Sequence, residues 1–345
     1  MLEHGGRLRL ASQRYGIALH EWIDLSTGIA PWPYPVPEIP LSVWQRLPED
    51  DDGLLDVARA YYGAKNLLAV NGSQAAIMAL PRLRAPGVVA VLAPSYGEYA
   101  PAWRAAGHQV IECAAEDLRQ QDVDAIDVML LANPNNPDGC CFSRAALLAL
   151  ARRLSENNGW LIVDEAFADA DGENSLANMA GMAGAKNVIV LRSLGKFFGL
   201  AGARVGFCIA APALLLRLQE ALGPWPLAHP ARFIAKVGLG DTAWQAAQRQ
   251  RLHAASARLA TLLTTNGLPP TGGTGLFQYV QCTVAAALYE RLAKRGMLVR
   301  CFAKPSALRF GLPENEAVWA RLESALGDVL GDVLGQYGHP SNSSA

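Results

Sequence analysis

Ser193-Leu194-Gly195-Lys196-Phe197-Phe198-Gly199-Leu200-Ala201-Gly202-Ala203-Arg204-Val205-Gly206 places one lysine and one arginine in a glycine-rich loop directly after the apolar run Val188 to Leu191. A lysine just past a strand end, with Ser193 three residues before it and Arg204 eight after it, can form an imine while its neighbours hold a phosphate. The glycines allow such a loop to approach a flat ligand closely. Alone, a lysine in a glycine-rich loop is more often a solvated surface charge, so its meaning depends on the strings around it.

Three other strings also follow apolar runs. Asp164 ends the run Trp160 to Val163 in Val163-Asp164-Glu165-Ala166-Phe167. A carboxylate at a strand's C-terminal end lies in the crevice where α/β sheets bind ligands, and there it can pair with a protonated ring nitrogen. The bland alternative is a turn or helix-capping aspartate. Asn133-Pro134-Asn135-Asn136-Pro137-Asp138-Gly139 has two X-Pro steps that fix an extended loop, from which an asparagine can donate to a phenolate oxygen. Asn71-Gly72-Ser73-Gln74, between a strand and a helix, offers backbone N–H groups and a hydroxyl at a helix N-terminus, a ready phosphate site.

The runs Leu67 to Val70, Val88 to Ala93, Val128 to Ala132, Trp160 to Val163, Val188 to Leu191 and Val205 to Ile209 are rich in Val, Ile and Leu. Helix-like stretches such as Ala75 to Leu83 and Ser143 to Glu156 separate them. Buried parallel strands wrapped by helices follow from this alternation, giving an α/β large domain. Residues 29–40 hold five prolines, which forbid regular helix and predict an extended arm. From Asp241 to Asn266 an alanine-rich helical pattern leads into short strands at Phe277 to Gln281, Leu298 to Arg300 and Leu308 to Phe310, a smaller α+β domain. The expected division is 1–45 as arm and small-domain part, 46–240 as large domain, 241–332 as C-terminal small domain and 333–345 as a disordered tail.

Composition sets outer limits. With 345 residues, 51% hydrophobic, 18% charged and a formal charge of −1, the chain has the make-up of a globular protein with no basic field for nucleic acid. No apolar run approaches the roughly 18 residues of a membrane span, and the first ten residues carry no apolar leader, so a cytoplasmic location is expected. The six cysteines form no C-x-x-C pair and lack a histidine ligand set, so reduced thiols are expected and no metal site.

Strand-NPxNPxG, strand-DExF and strand-SxxK with an arginine eight residues on, in that order, resemble the fold-type I aminotransferases, the pyridoxal-phosphate enzymes built on the aspartate-aminotransferase fold. The ordered set is specific where its members are not. The resemblance implies a large domain with a mixed, mainly parallel sheet, a smaller α+β domain, and pyridoxal 5'-phosphate as cofactor. Lys196 would then bond the cofactor's aldehyde, Asp164 its pyridine nitrogen and Asn136 its ring oxygen. Gly72, Ser73, Ser193 and Arg204 would hold its phosphate, and Tyr96 would stack on the ring.

Within that superfamily the chain is most similar to the branch holding histidinol-phosphate aminotransferase and the threonine-phosphate decarboxylase of cobalamin biosynthesis. His4-Gly5-Gly6, Glu21-Trp22-Ile23-Asp24-Leu25-Ser26, and Phe167 where aminotransferases place tyrosine, all resemble the decarboxylase. Departures are present too: Ser26-Thr27-Gly28-Ile29-Ala30-Pro31 lacks the two asparagines of the usual S-x-N-x-N-P. Leu47-Pro48-Glu49 replaces a Y-P-D whose tyrosine reaches the partner subunit. Arg309, in Leu308-Arg309-Phe310-Gly311, matches the arginine that forks onto an amino acid's α-carboxylate, and Arg300 and His4 supply further positive charge suited to a phosphate. The resemblance therefore implies a homodimer acting on a small phosphorylated amino acid. Its leading expectation is decarboxylation of L-threonine O-3-phosphate. The alternatives are an aminotransferase for a phosphorylated substrate such as histidinol phosphate, and a non-catalytic binding protein on the same fold.

Overall fold

The computed structural model describes residues 5–117 and 125–337. The chain divides into two compact units: residues 33–136 with 140–247, and residues up to 32 with 137–139 and those from 248 onward. At the N-terminal end the second of these contributes helix α1 (Leu8–Tyr15) and the short strand β1 (Ile23–Asp24).

The larger unit begins with Pro33 and the proline-rich segment, which forms no regular structure before helix α2 (Leu41–Gln45) and helix α3 (Leu54–Tyr62). There follow β2 (Leu67–Asn71), α4 (Gly72–Ala79), β3 (Val88–Leu92), α5 (Tyr99–Ala105), β4 (Gln109–Cys113), β5 (Val128–Ala132), α6 (Arg144–Glu156), β6 (Trp160–Asp164), β7 (Val188–Ser193) and β8 (Val205–Ile209). Helices α7 (Pro212–Leu222) and α8 (His229–Gly240) complete it, and α9 (Thr242–Thr265) runs on from it.

The seven strands pair in the order β2-β8-β7-β6-β5-β3-β4. Only β8 runs antiparallel to its neighbours; the other six share one direction. Every residue of β5, β7 and β8 is buried, which is why β5, β8 and the Val188 to Leu191 part of β7 read as runs without polar alternation. Val89, Val91, Leu130, Ile162, Ile189 and Leu191 pack with Ile77, Leu80, Tyr99 and Trp103 from one layer of helices into a single core. Because six strands point the same way, the residues after β2, β3, β5, β6 and β7 all emerge along one edge of the sheet. The reversed β8 begins at that edge, so Arg204, just before it, emerges there too.

The smaller unit holds β9 (Gly272–Thr274), β10 (Phe277–Gln281), α10 (Ala285–Ala293), β11 (Met297–Leu298), β12 (Arg300–Ala303), β13 (Ser306–Gly311) and α11 (Glu316–Tyr337). Four strands form an antiparallel sheet in the order β12-β13-β10-β9, and β11 pairs in parallel with β1. Ala11 of α1 and Trp22 pack against Ala293 and Leu298, tying the N-terminal segment to the rest of the unit.

Several expectations need correction. Residues 33–45 belong with the larger unit and not with an N-terminal arm: the Tyr34 N–H donates to the Phe198 carbonyl, and its ring packs edge-on against Trp244. The second boundary falls at 247/248, inside α9, and not at 240/241. The expected tail from 333 begins too early, since α11 continues to Tyr337; the remainder lies outside the described residues. Strand β4 has no counterpart in the sequence reading. It is an edge strand whose exposed Gln109 and Glu112 break the apolar run.

Candidate active site

The edge of the large sheet opens into a pocket lined by Gly72, Ser73, Tyr96, Asn136, Asp164, Phe167, Ser193, Lys196 and Arg204. All eight cofactor candidates named from the sequence are thus gathered in one cavity.

One end is built from the start of α4 and the start of β8. The first turn of any helix carries N–H groups without intrahelical partners, and here that turn lines the pocket. Gly72 has φ +65°, and a Cβ there would lie 2.7 Å from Arg204 Nη2, so the guanidinium sits against a surface only glycine can present. A Cβ at Gly206 would come within 2.5 Å of the Ser73 nitrogen, so glycine in β8 is what lets the helix start this close to the strand. A guanidinium, a hydroxyl from Ser193 and a helix N-terminus converging in this way make an anion cradle suited to a phosphate.

The other end is a buried carboxylate. Asp164 Oδ2 accepts from the Tyr99 hydroxyl at 2.7 Å, and its Oδ1 accepts from the Ala166 N–H at 3.0 Å. Burial pushes the Asp164 carboxyl above its ordinary range, while Tyr99, Ala166 and the Lys196 charge pull it back. Lys196 Nζ lies 5.5 Å from the centre of the Phe167 ring. Tyr96 donates to Gln74 Oε1 at 3.1 Å and meets Tyr99 edge-on at 5.4 Å between ring centres, and burial raises its hydroxyl to about 12.

Asn136 stands on a braced loop. Asn133 exchanges two hydrogen bonds with the Phe142 backbone, and Asn135 donates to the Pro94 carbonyl and accepts from Ser95. Beneath the pocket, Arg192 of β7 is buried against Glu165 at 2.6 Å, against Asp169, and over the Tyr62 ring at 4.7 Å. This buried ion network joins the residue after Asp164 to the residue before Ser193. It adds side-chain contacts at the ends of two strands, β6 and β7, that also pair directly.

The arrangement fits pyridoxal phosphate: an anion cradle, a lysine, a buried carboxylate and an aromatic ring occupy one pocket, and the cradle exists because Gly72 lacks a Cβ. The cradle, Lys196 and Asp164 could hold the cofactor's phosphate, aldehyde and ring nitrogen respectively.

The substrate candidates lie in the smaller unit. Arg309 of β13 is buried, donates to the Ser26 carbonyl at 3.0 Å, and has its guanidinium 4.9 Å from the Phe277 ring centre. Arg300 of β12 is its direct cross-strand partner. Burial, reinforced by Arg300 and opposed by Asp24, brings the Arg309 guanidinium down to about 10. Asp24 accepts from the Ser26 N–H and hydroxyl, and Ser26 Oγ accepts from the Gly6 N–H at 2.7 Å. A Cβ on Gly5 would sit 2.4 Å from the Ser26 carbonyl oxygen, so the N-terminal strand of chain lies directly on the segment that Arg309 bonds. His4 lies outside the described residues.

Sequence reasoning missed Tyr99, Asp24, Ser26 and the Arg192 network. The Asp24-Leu25-Ser26 string was visible, but its role depends on contacts with Gly6 and Arg309 that are distant in sequence. No group of residues able to hold a metal ion occurs among the described residues.

Comparison with known proteins agrees with this geometry. The model for aminotransferase class I and II matches residues 55–322. A threonine-phosphate decarboxylase from Pseudomonas aeruginosa is 53% identical over 326 residues, covering 94% of this chain and 97% of that protein. One from a Sinorhizobium species is 41% identical over 334 residues, with coverage of 94% and 97%. Among solved structures, histidinol-phosphate aminotransferase from Sinorhizobium meliloti in complex with pyridoxal-5'-phosphate superposes with a TM-score of 0.80 at 19% identity, covering 96% of each chain, a likeness of fold. On the family match and on the identity across nearly its whole length, this chain belongs to the class I and II aminotransferase family.

Proposed function

We propose that this chain is a pyridoxal-phosphate-dependent lyase that decarboxylates L-threonine O-3-phosphate to (R)-1-aminopropan-2-yl phosphate, a reaction of cobalamin biosynthesis. The observation that carries this reading is the 53% identity, over 94% of the chain, to a threonine-phosphate decarboxylase. Bound pyridoxal phosphate supplies an electron sink for the pair released when a bond at the substrate's α-carbon breaks.

The chain's own groups do the rest. Arg204, Ser193, Ser73 and the first turn of α4 bind the cofactor's phosphate. Asp164 would keep a proton on the ring nitrogen, Asn136 would donate to the ring oxygen, and Tyr96 would cover the ring. Lys196 would hold the aldehyde, and its amine is the group in the pocket that would deliver the proton the α-carbon takes up in place of carbon dioxide. One carbon–carbon bond breaks, one carbon–hydrogen bond forms, and one proton is consumed for each carbon dioxide released.

Arg309 forks onto the substrate carboxylate, and Arg300 adds charge for the phosphate. Two arginines placed directly across a strand pair repel each other, which suits a substrate carrying two anionic groups. A transaminase for a phosphorylated substrate would use the same cradle and the same arginines. Steady carbon dioxide release from L-threonine O-3-phosphate without any keto acid, lost in Lys196→Ala, is the expected result. Turnover that requires a keto acid would replace this reading with transamination, and an absence of cofactor binding would favour a non-catalytic protein.

A cytoplasmic homodimer belongs to the same reading. Exposed Leu41, Trp44 and Leu47 lie close together in sequence on the larger unit and support a subunit contact. Six free thiols support a reducing compartment. Gel filtration at twice the chain mass, shifted towards the monomer by Trp44→Asp, is expected.

A further inference from the structure

We infer that Tyr99 is a positioning residue that turns the Asp164 carboxyl towards the cofactor's ring nitrogen and favours its charged form. The inference rests on the cofactor assignment above and concerns a residue outside the motif set. Tyr99 opens α5, is 1% exposed, and comes from a helix, whereas Asp164 comes from the end of β6. Its hydroxyl meets Asp164 Oδ2 at 2.7 Å while the Ala166 N–H meets Oδ1 at 3.0 Å. Each carboxylate oxygen therefore has one fixed donor, and the plane of the group is set before any ligand arrives.

Both donors favour the charged form, which burial opposes. The ionisable groups acting on Asp164 are Tyr99 of α5, Lys196 after β7, and Glu165 next in the chain; Tyr96 lies close enough to feel its charge. Glu165 adds like charge, Lys196 opposes it, and Lys196 is the group that chemistry calls away during turnover. Tyr99 is the side-chain donor that remains. Burial and the Asp164 charge push its own hydroxyl far up, so it stays protonated and can only donate to a carboxylate.

The same ring also backs Tyr96 edge-on, so packing and hydrogen bonding must be separated. Tyr99→Phe keeps the ring and that contact and removes only the hydroxyl. In apoenzyme titrated with pyridoxal phosphate, we expect affinity to fall about tenfold, the scale of one hydrogen bond to a charged group. In holoenzyme carrying nitrogen-15 in the cofactor ring, the resonance should move towards the neutral-pyridine position, because a more basic carboxylate competes for the proton. The affinity loss should vanish when Tyr99→Phe is made on an Asp164→Ala background. Wild-type affinity and an unmoved nitrogen resonance in the Phe variant would overturn the inference, and so would an equal loss with Asp164 absent. A wild-type chain that binds no pyridoxal phosphate would remove the cofactor assignment, and this inference with it.

Discussion

Gly72→Ala separates the phosphate cradle from ordinary backbone stability. Gly72 has φ +65°, where an L side chain costs about 1 to 2 kcal/mol. The new Cβ would lie 2.7 Å from Arg204 Nη2 and 3.2 Å from its Cζ, and since the guanidinium ends a flexible side chain it is the guanidinium that yields. Folding therefore loses little beyond the backbone strain. Cofactor binding loses a charge-assisted contact worth about 1.5 to 3 kcal/mol, so the dissociation constant for pyridoxal phosphate should rise roughly ten- to a hundredfold. Gly184→Ala is the control: its φ is +86° and a Cβ there would meet nothing within 4 Å. Urea unfolding should show similar losses for both variants, and equilibrium titration of the apoenzymes should show weakened binding for Gly72→Ala alone. Unchanged affinity in Gly72→Ala, or equal weakening in both, would refute the placement of the phosphate between α4 and Arg204.

Other perturbations test the remaining groups. Arg309→Lys replaces a planar fork by a point charge, and kcat/KM for L-threonine O-3-phosphate should fall about a hundredfold, the loss of roughly 2 to 3 kcal/mol of charge-assisted bonding. Arg300→Gln removes like charge opposite Arg309 and should stabilise the apoenzyme by about 0.2 to 1 kcal/mol, while raising KM for the phosphorylated substrate more than for L-threonine. For Asp164 the folded-state carboxyl lies above its unfolded value, so the folded apoenzyme binds this proton more tightly and loses that advantage as pH rises. The stability of Asp164→Asn relative to wild type should accordingly improve as pH climbs through the carboxyl's raised range, which urea melts at several pH values would detect. Phe167→Tyr brings a hydroxyl towards the cofactor's ring oxygen and should lower the pH midpoint of the bound cofactor's absorption change by about one unit.

The candidate pocket was legible because of how parallel sheets are wired. Strands sharing a direction deliver whatever follows them to one edge, so Gly72, Asn136, Asp164 and Lys196, each just past an apolar run, had to meet. Arg204 reaches the same edge for the opposite reason, since β8 runs backwards and begins there. That reversal leaves no mark on the sequence: a strand buried on both faces has the same apolar run in either direction. Tyr99 was illegible because its partner stands 65 positions away and nothing local distinguishes it from a packing tyrosine. The boundary at 247/248 was hidden for a different reason, as it falls within the unbroken helical pattern of α9.

The substrate end shows how much a contact can add to a motif. Arg309 was readable from its string, but nothing in that string indicates that Arg300 stands directly opposite it. Cross-strand pairs of like charge destabilise a sheet, and Arg309 is also buried, which holds its guanidinium below the usual range. A sequence selected for stability alone would place an uncharged residue at one of these two positions. On the proposed reading, a substrate carrying two anionic groups would offset the repulsion between these two arginines. The Ser26 carbonyl that accepts from Arg309 is itself covered by Gly5, and Ser26 Oγ by the Gly6 N–H, so the arm is part of the arginine's support. Gly5→Ala, whose Cβ would approach the Ser26 carbonyl oxygen to 2.4 Å, should therefore raise KM for L-threonine O-3-phosphate and leave pyridoxal phosphate affinity unchanged. Loss of cofactor affinity in that variant would mean that the arm supports the fold as a whole and not Arg309.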